Sequence, residues 1–465
     1  MSGNEVRDIR LLWAFLIVLT SVRLGLAAVL PLTPDEAYYW VWSRHLQSGY
    51  FDHPFMVAVW IRIGSWIAGD TSLGVRLLGP LSVLPGSWAL FHAARMLLPT
   101  KAWPLSGFQS VLLLNATLML GLGAATMTPD TPLVFFVSLS LYTIGRALSG
   151  PPGKAFGWWL LTGALLGLAF DSKYTAVLIG LGLGGAVLSK SALRRQSGPW
   201  CAILILLLVT SPVIYWNATH HWASFLKQGG RTGDWHPARA FQFLSELLGG
   251  QIGLATPLVF GLFILGTKAC LRRNRTLAWL CVLPMGVFVF HAFGDRVQAN
   301  WPAVVYPALA LAAVEAGRRI RWPVASGVAL TGLVYIQAAF SPLPLPPGKD
   351  PIQRQTAGWS DFGRALEAKA IAEEVTALVV NDYGLVSELA FNQSRFDVLG
   401  TDRRWSLFHL PSRHADKALL VEELHQIPAS LPADMLCRES HEQRIRCYHI
   451  TVVDHAVGVQ LPRHF

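Results

Sequence analysis

About eleven apolar runs, each close to the twenty residues that an α-helix needs to cross a bilayer, constrain this chain more than any other feature. They fall near residues 11–30, 72–94, 104–124, 130–148, 156–170, 174–189, 199–216, 247–267, 277–293, 301–317 and 323–340. Charged residues make up 14% of the chain, against about 25% in a soluble domain. The chain is therefore read as a polytopic α-helical membrane protein rather than a globular enzyme with a large core. Runs 156–170 and 174–189 are short and interrupted by Asp171-Ser172-Lys173-Tyr174-Thr175, which makes them two crossings or a re-entrant pair. Arg7 and Arg10 precede the first run, which is too long for a signal-peptide core and lacks a clear cleavage site, so it reads as a retained span.

The charges give an independent check on orientation. With a cytoplasmic N-terminus, the inside loops carry sixteen Lys and Arg, and the outside loops before the tail carry seven, as the positive-inside bias requires. Asp35, Glu36, Asp52, Asp70, Asp130, Asp171, Asp234, Glu246 and Asp295 all fall outside. The net charge of +10 is thus mainly a topology signal, not a nucleic-acid surface. Inside loops are short connectors, so chemistry is expected on the outer face.

The first outer segment, Thr33 to Pro54, reads TPDEAYYWVWSRHLQSGYFDHP. Thr33 stands at an N-cap, Pro34 at the first helical position and Glu36 three residues past the cap, which is a capping box. Asp35 and Glu36 are therefore either dipole partners of a helix or functional acids. A helix from Asp35 to about Gln47, with Tyr38, Tyr39, Trp40 and Trp42, and a second over Pro54–Gly69 are expected to lie along the membrane and roof a cavity. Thr128-Pro129-Asp130 repeats the first motif, again with the aspartate expected as the second helical residue. A carboxylate kept ionised by a helix N-terminus suits a base or a hydroxyl-orienting group.

Two further constellations face the same side. Asp52-His53-Pro54 and Asp234-Trp235-His236-Pro237 offer carboxylate and imidazole groups, which suit hydrogen bonding to a substrate or a divalent metal ion, with Asp52 and His236 as metal candidates. Lys173, Arg231, Arg239 and Arg296 are outer cations, suited to a lipid phosphate, or to pairing with outer acids such as Asp171. There is no phosphate-binding glycine loop, no G-x-S-x-G and no HExxH, which leaves nucleotide-driven pumps and membrane proteases without support.

From Ser341 the composition changes. A proline-rich linker over residues 341–352 separates a transmembrane domain (1–340) from a small soluble α/β domain (353–465). Strands are expected at Ala377–Asn381 and Arg444–Val453, with a helix over GLVSELAFN between them. An odd number of crossings puts this domain outside, where Cys437 and Cys447 could pair or remain thiols.

TPDEAYYW…GYFDHP, MTPDTPL, SKYTA, RTGDWHPARAFQFL and VQANWPA resemble the polytopic GT-C glycosyltransferases. The nearest branch holds the protein O-mannosyltransferases, lipid A aminoarabinose transferases and lipopolysaccharide galacturonosyltransferases. The likeness covers about residues 10–310, and in the tail it is one of architecture only. It implies a polyprenyl-phosphate sugar donor and a lipopolysaccharide, lipid A or other envelope acceptor, met at the outer face of a bacterial inner membrane. The tail would be periplasmic. The resemblance makes Asp35 the acid–base position with Glu36 beside it, and Asp130 the second acidic position. Lys173 lies near the donor phosphate, helped by Arg231, Arg239 and Arg296. Tyr38, Tyr50, Asp52, His53, Trp235 and Asn300 are the substrate-binding positions, and metal dependence stays open. A single displacement would invert the anomeric centre, with the sugar a hexose, pentose or uronic acid. A flippase or transporter of polyprenyl-linked glycans is the competing reading, and a non-catalytic scaffold the third.

Overall fold

The computed structural model describes residues 3–99, 101–102, 104–229, 235–343, 345–346, 349–392, 395–428, 430–440 and 442–463. It divides into two compact units that interleave in sequence. One gathers Met1–Gly25, Asp52–Val57 and Leu78–Val334; the other gathers Leu26–Phe51, Ala58–Leu77 and Tyr335–Phe465.

The first unit is helical because its runs are rich in Leu, Ala and Val, and because in hydrocarbon every backbone amide must bond within its own segment. Among the described residues six helices are long and apolar enough to cross a membrane, or eight when each of two bent pairs counts as one. Every expected run is helical, but length and composition do not establish eleven crossings. Two runs expected to be continuous are broken. Leu105–Asn115 and Leu118–Ala125 meet at 68°, where the Thr117 hydroxyl accepts from the Leu120 amide and starts a new helix. Pro237–Ala255 and Pro257–Arg273 meet at 107°, where Thr256 has φ +68° and Pro257 brings no amide hydrogen. The runs on either side of Asp171–Lys173 are separate helices, Pro152–Phe170 and Val177–Leu188.

Inside this unit, Asp130–Ser149 packs against both Leu78–Leu97 and Pro152–Phe170, and the latter packs against Ser197–Thr219. All ten residues of Tyr306–Glu315 are buried. Ser197–Thr219 leaves Leu204, Leu207 and Leu208 exposed, as a face turned to lipid requires. Arg23, wholly buried in the first helix, is met by Asn115, whose Oδ1 lies 3.4 Å from its Nη1. The chain is a multi-pass membrane protein.

The second unit holds a five-stranded sheet with strands β1 (Ala377–Val380), β2 (Asp397–Gly400), β3 (Ser412–Glu423), β4 (Met435–Ser440) and β5 (Gln443–Gln460). Their order is β2-β1-β3-β5-β4. β1 runs parallel to β2 and β3, and β5 runs antiparallel to β3 and β4. A parallel pair needs a crossover, and the helix Tyr383–Asn392 supplies it between β1 and β2. Cys437 and Cys447 face each other across β4 and β5 and form a disulfide.

This unit also contains the first-loop helix, Pro34–Arg44. It packs on Tyr383–Asn392, and the approach is close: a Cβ on Gly384 would sit 2.9 Å from Cβ of Pro34. The aromatic rings expected along a membrane surface are buried here instead. Trp40 and Trp42 are wholly inaccessible; Tyr38 meets the edges of Tyr383 and Trp405, and Trp40 meets Phe391. Apolar area of that size contributes more buried against a sheet domain than left half wet.

Candidate active site

Two groups of side chains stand out, one in each unit. In the first unit, Lys173 enters at the break between Pro152–Phe170 and the turn Tyr174–Ala176. Its Nζ donates to both carboxylate oxygens of Asp130 at 2.8 Å. Nδ2 of Asn300 donates to Asp130 Oδ2 at 2.7 Å. Lys173 is 5% and Asp130 2% exposed, so the charges are desolvated and stable only because each answers the other. Three sequence motifs far apart in the chain thus meet in one buried cluster. Lys173 pairs with Asp130 and not with its sequence neighbour Asp171, whose carbonyl instead accepts from the amide of Met56. That bond and a second, from Gln228 Nε2 to the carbonyl of Asp52 at 2.6 Å, hold the segment carrying Asp52 and His53. Asp130 also lines a cavity with Ser82, Ser87, Thr131, Ser138 and Tyr306.

The remaining candidates of this unit do not join that cluster through any hydrogen bond described. Arg239 reaches Gln242 at 3.2 Å and lies over the Phe243 ring. Arg296 pairs with Glu246 at 2.7 Å. Trp235 packs against Phe290, and the amide of His236 donates to the carbonyl of Gly294. Arg231 and Asp234 lie outside the described residues. Among the described residues no three His, Cys, Asp or Glu side chains come together as metal ligands. Neither Asp52 nor His236 belongs to such a group among the described residues.

In the second unit, Thr33 caps the helix as its sequence indicates. Its hydroxyl accepts from the Glu36 amide, and its own amide donates to Glu36 Oε2 at 3.0 Å. Glu36 is wholly buried and receives Nε and Nη2 of Arg76, each at 2.6 Å. Arg76 spends its remaining donors on the carbonyls of Ala27, Leu30 and Pro31. Asp35, one residue earlier, is exposed, and its Oδ1 accepts from the Tyr383 hydroxyl at 3.0 Å. Tyr50 is a core ring, stacked 4.1 Å from Trp42, with its hydroxyl donating to the carbonyls of Trp42 and His45.

Sequence reasoning missed two members of this second group. Tyr383 carries no motif, and its only signal is a place at the start of an expected helix. Glu388, on the same helix, is buried, and burial first, then the nearby charge of Glu36, push its carboxyl well above the usual range against the pull of Arg438 and Arg76.

Residues 52–216 match a family model described as dolichyl-phosphate-mannose-protein mannosyltransferase. The chain is 24% identical to a lipid A galacturonosyltransferase of Rhizobium johnstonii over 386 residues, which cover 77% of this chain and 76% of that one. It is also 24% identical to an undecaprenyl phosphate-alpha-4-amino-4-deoxy-L-arabinose arabinosyl transferase of Pseudomonas fluorescens, over 66% of this chain and 59% of that one. The structure superposes on ArnT of Cupriavidus metallidurans bound to undecaprenyl phosphate with a TM-score of 0.64 and 16% identity, covering 96% of this chain and 97% of that one. The apo state of that protein gives a TM-score of 0.56 over 82% of this chain and 74% of that one. In sequence this chain is similar to these sugar transferases, and in fold it is similar to ArnT.

Proposed function

We propose that this chain transfers a sugar from a polyprenyl-phosphate donor to lipid A, lipopolysaccharide or another envelope acceptor at the outer face of a bacterial inner membrane, with inversion. The observation that carries the reading is the buried Lys173–Asp130–Asn300 cluster. An ammonium has three donors, and two point at Asp130. The third is available to a phosphate, and Asp130 supplies the counter-charge that a buried ammonium requires.

A sugar phosphodiester already carries its leaving group, so the protein has only to stabilise charge as the glycosidic C–O bond breaks. Lys173 serves that charge. Arg239 and Arg296 already have protein partners, which concentrates the role on Lys173. Asp35 orients the acceptor hydroxyl and takes its proton as oxygen attacks the anomeric carbon. One displacement of this kind inverts the configuration there. Glu36, occupied by Arg76 and the cap, holds the helix that presents Asp35. The N-terminus is assigned to the cytoplasm and residues 353–465 to the periplasm on the loop charges.

The test is transfer by the purified protein in lipid nanodiscs, given undecaprenyl-phosphate sugars and lipid A, with the products read by mass spectrometry. A glycosylated lipid A of inverted anomeric configuration is the expected product. No product from uronic acid, amino sugar or hexose donors, together with unchanged envelope glycolipids in a strain lacking the protein, overturns the reading.

A further inference from the structure

A polar chamber of about 320 Å³ opens on the second unit, within the size range of small-ligand pockets. Its wall carries Asp35 and Tyr383 beside Arg354, Gln355, Glu423 and Arg446. Most of its charges are committed. Glu423 pairs with Arg446. Asp382 accepts from the Leu385 amide at 2.7 Å and caps a helix. Arg438, wholly buried, spends its donors on the Tyr448 hydroxyl and the carbonyls of Ala357 and Arg354, and lies 3.8 Å over Trp359. The side chains of Arg354 and Gln355 differ: both are exposed and make no hydrogen bond or ion pair among the described residues.

Tyr383 is the link between this chamber and Asp35. Its hydroxyl donates to Asp35, and the Arg404 guanidinium lies 3.9 Å over its ring. A cation over a phenol draws electron density from the ring and makes its O–H a stronger donor. Donation to a carboxylate favours the ionised form, and this bond sets the orientation of the Asp35 carboxylate.

We infer that the chamber is where the acceptor docks. Asp35 receives the reacting hydroxyl, Tyr383 is its positioning residue, and Arg354 with Gln355 meets an anionic group on the acceptor, such as a phosphate. The ligand class is thus a phosphorylated glycan headgroup. The inference rests on the transfer reaction proposed above and adds that residues of the tail build half of the acceptor site.

The experiment compares wild type, Tyr383→Phe and Arg354→Ala in nanodiscs, with diphosphoryl lipid A and with the same lipid dephosphorylated. Y383F keeps the ring and its contacts with Tyr38 and Arg404, so its effect reports the hydroxyl alone. It is expected to lower kcat about tenfold or more, the size of a charge-assisted hydrogen bond. It should also move the acid limb of the pH–rate profile upward, because Asp35 then protonates more readily. R354A is expected to raise KM for diphosphoryl lipid A about tenfold, a gap that closes with the dephosphorylated lipid. An unmoved acid limb in Y383F, or a KM in R354A that ignores the phosphates, overturns the inference. A wild type that transfers nothing ends the proposed function itself; an active wild type with both variants unchanged ends only this inference.

Discussion

Thr33-Pro34-Asp35 and Thr128-Pro129-Asp130 are the same three residues at the start of two helices, and they are used in opposite ways. In the first, the threonine caps, the helix begins at Pro34, and the aspartate stays exposed while the next residue, Glu36, is buried on Arg76. In the second, the helix begins at Asp130 with no side-chain cap, and the Thr128 amide donates to the Thr131 hydroxyl instead. Its aspartate is the buried member, set on Lys173. One copy puts the structural burden on a neighbour and leaves Asp35 accessible. The other makes Asp130 itself the anchor of a buried cation. A shared tripeptide therefore specifies a helix start and leaves the use of its carboxylate to what the rest of the fold brings alongside.

The sharpest way to break this comparison is at the exposed copy. Asp35→Asn should lower transfer by about 10²–10⁴-fold, the usual contribution of a general base. Its melting temperature should be nearly unchanged, since asparagine still accepts from Tyr383. Turnover near wild type, measured with undecaprenyl-phosphate donors, would move the acid–base role elsewhere.

The buried pairs should behave the other way. Glu36→Gln leaves the wholly buried Arg76 without a counter-charge, and Asp130→Asn does the same to Lys173. Each should cost about 3–5 kcal/mol in denaturation of the detergent-solubilised protein. Adding Lys173→Met to Asp130→Asn should recover part of that loss, because the stranded charge is gone. Additive losses in the double variant would show that the pair is not energetically coupled.

The smallest effect is expected at Glu388. Its carboxyl is raised in the folded state, chiefly by burial. The folded protein therefore holds this proton more tightly than the unfolded chain, and stability falls as pH rises from the ordinary glutamate range toward the folded value. Glu388→Gln removes that slope. It should raise the melting temperature more at pH 8 than at pH 5, and an equal rise at both would assign the gain to packing.

The helices were legible because bilayer-length apolar runs have few other solutions. The capping box was legible because Thr33 and Glu36 need only each other. The breaks at Thr117 and Thr256 were less so, since a threonine in an apolar run reads equally well as helix interior. In the tail, Ala377–Val380 and Tyr383–Asn392 lay close to where patterning put them. β3 did not, because SRHADKALLVEE alternates poorly and becomes a strand only by pairing with β5 along nearly its whole length. For the same reason β5 runs on to Gln460, beyond the expected Val453. The motifs contained Lys173, Asp130 and Asn300 separately, but a pairing across 43 residues and another across 170 are products of the fold. Tyr383 is 348 residues from Asp35, and no local pattern reports such a bond.

The packing of Pro34–Arg44 on Tyr383–Asn392 also sets an order of assembly. Synthesis delivers Tyr38, Trp40 and Trp42 among the first residues, and it delivers Tyr383, Phe391 and Trp405, against which Tyr38 and Trp40 close, among the last. Until the tail emerges, those rings lack their cover and Asp35 lacks its tyrosine. A chain that has not yet reached Trp405 is therefore marked by bare aromatic surface, the kind of surface that chaperones and proteases read. Arrival of Tyr383, Phe391 and Trp405, rather than insertion of the first helices, is the event that covers these rings.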